Sequence, residues 1–146
     1  VARIKSRDAK RFADIKQFEK ALKIFYDDNK RYPGIYNNGY SDGEWYTNNK
    51  CTGGGAPFFS ALNLGNYINP LPDDPNKNVY NTSPAGCYWY EPKKFNAAKT
   101  NPQGYIILFH PEGIPVTGGA SRPYPQDMGC YSSGGTEVYY CVGENW

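Results

Sequence analysis

The chain has 146 residues, enough for one domain with one modest core. Its mean hydropathy is −0.74, yet 16% of its residues are aromatic and 14 are Tyr, a composition that excludes a disordered chain. Net charge is only +2 and unevenly placed: residues 1–31 hold ten Lys/Arg against five Asp/Glu, and the rest holds six against nine. Five interspersed acids dilute the basic segment too far for a nucleic-acid footprint, so nucleic acid is not an expected partner.

Residues 1–30 read as an amphipathic helix. Phe12, Ile15, Phe18, Leu22, Phe25 and Tyr26 fall on one stripe that Ala9 extends. Lys10, Asp14, Lys16, Lys20, Lys23 and Asp27 lie mostly off that stripe, and Glu19 and Lys23 form an i,i+4 pair. Pro33-Gly34 is expected to stop the helix after Asn29. A rod of about 43 Å is longer than a domain of this size needs.

Residues 34–56, with Asn37-Asn38-Gly39 and Gly53-Gly54-Gly55, read as a long surface loop tied down by Cys51. Pro57 suits the start of a short helix, Phe58–Leu64, that Gly65 would close. Asn69-Pro70-Leu71-Pro72-Asp73-Asp74-Pro75 is an extended turn. Three strands follow: Cys87–Glu91, Gly104–Phe109 as the central one, and Glu137–Val142, in an antiparallel meander. The expected class is α+β, a long N-terminal helix packed on a small antiparallel sheet. The whole of 1–146 forms one domain: a helical spine (1–30), a helix-to-sheet loop region (31–86), and a sheet with a disulfide region (87–146).

The cysteines, Cys51, Cys87, Cys130 and Cys141, lack Cys-x-x-Cys spacing and read as two disulfides in an oxidising compartment. Three connectivities are available. Cys130–Cys141 with Cys51–Cys87 is favoured, because the first closes a short turn-rich loop around Gly134-Gly135, worth about 2–3 kcal/mol.

Opening stretches Ser6-Arg7-Asp8-Ala9-Lys10-Arg11-Phe12-Ala13-Asp14-Ile15-Lys16-Gln17, then Tyr26-Asp27-Asp28-Asn29 and Arg31-Tyr32-Pro33, closely resemble type IV pilins and type II secretion major pseudopilins just after their membrane segment. Tyr67-Ile68, Leu71-Pro72-Asp73-Asp74-Pro75 and Asn78-Val79-Tyr80 are similar to the family's segment leading into the first sheet strand. The resemblance implies a pilin-like ectodomain of a bacterial filament subunit, extracellular or periplasmic, anchored before assembly by an apolar helix upstream of Val1. Its partners would be copies of itself and related pilins. Phe12, Ile15, Phe18, Leu22 and Phe25 would then serve both the core and inter-subunit contact, on a ridge too long for one small body to hide.

The family also raises calcium before the chain's end. Here that stretch offers Asp127, with Glu137 just beyond, too few carboxylates for six to eight oxygen ligands, so no cofactor or metal is expected and these two would be the residues of any calcium site. No catalytic residues are assigned. His110 beside Glu112 reads as structural, and Asp73-Asp74 as a solvated, capped turn rather than a carboxylate pair for catalysis. Tyr36, Tyr40, Trp45 and Tyr46 crowd a loop of Asn and Gly, and they are the candidate ligand-binding loop of an alternative reading, an adhesin-like minor pilin that binds glycan or a host surface. A DNA-uptake pilin using the helix cations is a further alternative.

Overall fold

A computed structural model describes residues 2–36, 46–47, 64–76, 86–113, 129–131 and 138–145. The class is α+β. Helix α1 (Ala2–Asn29) is followed by β1 (Tyr46–Thr47), a 3-10 turn (Leu64–Asn66), β2 (Trp89–Phe95), β3 (Pro102–Phe109), β4 (Gly129–Tyr131) and β5 (Val138–Glu144). The strands form one sheet in the order β1-β2-β3-β5-β4, and every described pairing is antiparallel.

The central strand is the expected one. The meander is interrupted, because β4 lies outside β5 at the edge and β5 takes the place beside β3. β2 starts two residues later than expected and runs on through Pro92 to Phe95. Pro92 is tolerated because it lies past the short β1, where among the described residues β2 has a partner on one side only. Within the expected loop, Tyr46 and Thr47 pair with Tyr90 and Trp89 and are buried. Gly65 lies inside the 3-10 turn rather than closing a helix; the rest of the expected Phe58–Leu64 helix lies outside the described residues.

Helix α1 ends as Lys30 adopts φ 55 and its N–H donates to Tyr26 O at 2.7 Å. A left-handed residue here closes the last turn, a position that glycine usually fills. Gly34 (φ 133) then lets the chain turn flat against Pro92, where a Cβ would come within 2.5 Å of the ring.

One face of the sheet receives the helix. Ile15, Phe18, Leu22 and Phe25 are 1%, 0%, 0% and 6% exposed, packed with Tyr90, Tyr105, Ile107, Phe109 and Val142. Half-buried Phe12 sets its ring edge-on to Phe109 (5.2 Å) and Tyr140 (4.7 Å). The ridge is therefore enclosed within its own fold, and the expectation that it exceeds what this body can hide is corrected. The reason is geometric: the ridge from Phe12 to Phe25 rises about 20 Å, less than the roughly 27 Å that an eight-residue strand covers. Ile15, Phe18, Leu22 and Phe25 are core and are not available to another copy, whereas Phe12 is partly exposed.

Candidate functional site

The ridge continues toward the N-terminus in charged residues rather than apolar ones. Asp8, Arg11 and Asp14 share the inner face with Ile15 and Phe18, and they are 2%, 1% and 4% exposed. Asp14, expected off the stripe, is thus on it. Arg11 reaches across to the loop before β2: its Nε donates to Asp74 Oδ2 at 2.7 Å and its Nη2 to Asp74 Oδ1 at 3.0 Å, a bidentate pair. Its Nη1 donates to Asp8 Oδ1 at 2.7 Å, and Nη2 lies 2.6 Å from Glu112 Oε1.

Each carboxylate is held from behind. Asp8 accepts the backbone N–H groups of Glu112 (3.0 Å) and Gly113 (2.9 Å), tying the helix to the segment after β3. Asp74 accepts the N–H of Asn76 at 2.8 Å, and Asn76 Nδ2 donates to Glu112 Oε1 at 2.7 Å. Arg7 forks onto Glu112. Asp14 Oδ2 accepts from the Tyr88 hydroxyl and from Lys10 Nζ, each at 2.7 Å.

Three carboxylates converge as they would on a metal, but the cation between them is a guanidinium. Among the described residues, no group of three or more His, Cys, Asp or Glu could hold a metal ion. Hydrogen bonds from Arg7, and after burial's opposing effect from Arg11, hold the Glu112 carboxyl down at about 2. For Arg11, burial alone would lower the pKa, but Asp74, Glu112 and Asp8 outweigh it and hold the pKa above its ordinary value. Burial pushes the Tyr88 phenol up, and Asp14 pushes it further. The donors and acceptors of the cluster are fixed in place by these bonds. The cluster orders three segments: the helix, the loop around Asp74 and the segment after β3.

The sequence reading missed this cluster. It took Asp73-Asp74 as a solvated turn, whereas Asp74 is 1% exposed and bound to Arg11. The available signal was the i,i+3,i+6 spacing of Asp8, Arg11 and Asp14 in line with the apolar stripe. A second buried pair was missed on the other face of the sheet, where Lys93 Nζ lies 2.6 Å from Glu91 Oε2.

The aromatic loop candidates do not stay together. Tyr46 is a core residue at 2% exposure, and its hydroxyl accepts the N–H of Ile35 at 3.1 Å. That removes it as a ligand contact. Tyr36 instead lines a groove at the far end of the helix. Tyr40 and Trp45 lie outside the described residues, as do Asp127 and Glu137. Cys87 and Cys141 are both disulfide-bonded; the expected pairs Cys51–Cys87 and Cys130–Cys141 fall in part outside the described residues. Among the described residues, no helix is long and apolar enough to cross a membrane. No family model, curated protein or solved structure matches the chain.

Proposed function

We propose that this chain is a structural subunit of an extracellular helical filament, of the type IV pilus or type II secretion pseudopilus kind, and not an enzyme. The observation that carries this reading is the Arg11–Asp74 pair. The two stretches that resemble pilins lie 63 residues apart in the chain, yet their charged residues meet in one buried bidentate contact. They act as two halves of one device that clamps a long helix onto a sheet.

With the inner ridge enclosed, the contact between copies is assigned to the outer face of α1. Ala9, Ala13, Gln17, Lys20 and Ile24 are all exposed and recur at helical spacing, and Ile24 is 41% exposed. One such contact repeated by a screw operation builds a filament and not a closed ring. An upstream apolar helix would anchor the subunit before assembly, so the gene is expected to encode about 20 apolar residues ahead of Val1. A conventional secretion signal there would contradict the proposal.

The test is electron microscopy of surface filaments on cells lacking the gene. Deletion should remove one filament type, the wild-type gene should restore it, and Ile24→Glu should not, although the protein still folds. Unchanged filaments after deletion would remove the reading.

A further inference from the structure

A groove of about 820 Å³ opens where α1 ends, within the range of sites that hold small ligands. Its walls come from the end of the helix, the Pro33–Tyr36 segment, the 3-10 turn and the tight turn between β2 and β3. The sequence dictates this meeting point. Lys30 stops the helix in a left-handed conformation, and Lys99 (φ 58) shapes the β2–β3 turn, its N–H donating to Asn96 O at 2.8 Å.

Two cations line the groove, and no carboxylate does among its described residues. Each cation rests on an aromatic ring. Lys99 Nζ lies 4.7 Å from the centroid of Tyr36, and Arg31 Cζ lies 5.9 Å from that of Phe25. The rings are braced in turn: Tyr36 stands edge-on to Phe95 at 5.3 Å, and Phe25 leans on Tyr67 at 5.2 Å. Among the described residues, neither Arg31 nor Lys99 has a carboxylate within ion-pair distance, in contrast to the cations of the Arg11 cluster.

We infer that this groove binds a carboxylate-bearing saccharide, of the uronic-acid type. The partly exposed rings of Tyr36 and Tyr67, rather than the buried Phe25, suit the C–H faces of sugar rings, and neutral amide and hydroxyl groups such as Asn66 and Thr100 suit sugar hydroxyls. Arg31 and Lys99 supply the charge that selects an acidic sugar over a neutral one. A compact dianion such as phosphate is disfavoured, because the groove sits at the negative end of the helix dipole; a single delocalised carboxylate is opposed less. This inference does not depend on filament assembly and holds for the isolated chain.

The test is calorimetric titration of the purified chain with a galacturonic acid tetramer, a neutral galactose tetramer and inorganic phosphate. The uronate should bind, and the neutral tetramer should bind about tenfold more weakly or not at all. Arg31→Gln with Lys99→Gln should weaken uronate binding about tenfold with no change in melting temperature, and Tyr36→Leu should weaken both sugars. Three results would each overturn the inference: no uronate binding at millimolar concentration, equal affinity for the neutral tetramer or phosphate, or unaltered affinity in the charge-neutral double variant, whose fold is verified by its melting temperature.

Discussion

The two ends of helix α1 are held to the same body by opposite physics. Toward its C-terminus, Phe18, Leu22 and Phe25 bury apolar surface against Tyr88, Tyr90, Tyr105 and Ile107. This attraction is nondirectional and grows with area. Toward its N-terminus, Asp8, Arg11 and Asp14 lock to Asp74, Glu112 and Tyr88 through directed, charge-assisted bonds. A buried charge cluster is a weak source of net stability but a strong penalty on any arrangement that breaks it. The apolar end therefore fixes that the helix docks, and the charged end fixes where.

Breaking each end in turn separates these roles. Arg11→Ala leaves three carboxylates facing one another with no central cation, and it should lower unfolding free energy by about 3–5 kcal/mol at pH 7. Phe18→Ala at the other end should cost a comparable amount, about 3–5 kcal/mol. Denaturant titration distinguishes them by pH. The Phe18→Ala loss should be nearly independent of pH, whereas the Arg11→Ala loss should shrink in acid as Glu112, whose carboxyl Arg11 helps to hold down, protonates.

Gly104→Ala probes the sheet between the two ends. A Cβ there would lie 2.5 Å from Asn145 O and 2.6 Å from Glu144 O, both backbone, so the end of β5 must move away. Thermal unfolding should show a loss of about 1–3 kcal/mol. Tyr88→Phe removes one donor to Asp14 but leaves Lys10 in place, and about 1 kcal/mol should be lost.

The smallest effect concerns acid. Glu112 titrates at about 2 in the folded protein, against an ordinary value of 4.5. Its folded pKa is depressed, so its contribution is complete above the ordinary value and fades as pH falls from there through about 2. Glu112→Gln should flatten the decline in stability across that window. An unchanged slope would show that Glu112 is as free to protonate in the folded chain as in the unfolded one.

The sequence made one end of this comparison legible and hid the other. Apolar recurrence from Phe12 to Phe25 placed the helix and its core face, because burial leaves a periodic mark in hydrophobic residues. The same recurrence carries on through Asp8, Arg11 and Asp14, but charge conceals it, since a charged residue ordinarily signals solvent. Asp74 was obscured for the same reason: a Pro-bracketed acidic turn looks solvated until its partner 63 residues away is known. β4 and β1 are three and two residues long, too short to leave a pattern. The groove at the helix end depends on three separate chain segments meeting. Among its described rings only Tyr36 was marked in advance as a ligand contact, and Tyr46, marked with it, is core.

The most direct test of the clamp is a double-mutant cycle on Arg11→Met and Asp74→Ala, read by urea unfolding. If the helix and the Asp74 turn form one energetic unit, each single change should cost several kcal/mol. The double change should cost far less than their sum, with a coupling of about 2–3 kcal/mol. Additive losses would mean that Arg11 and Asp74 contribute independently, and the two stretches would no longer count as halves of one device.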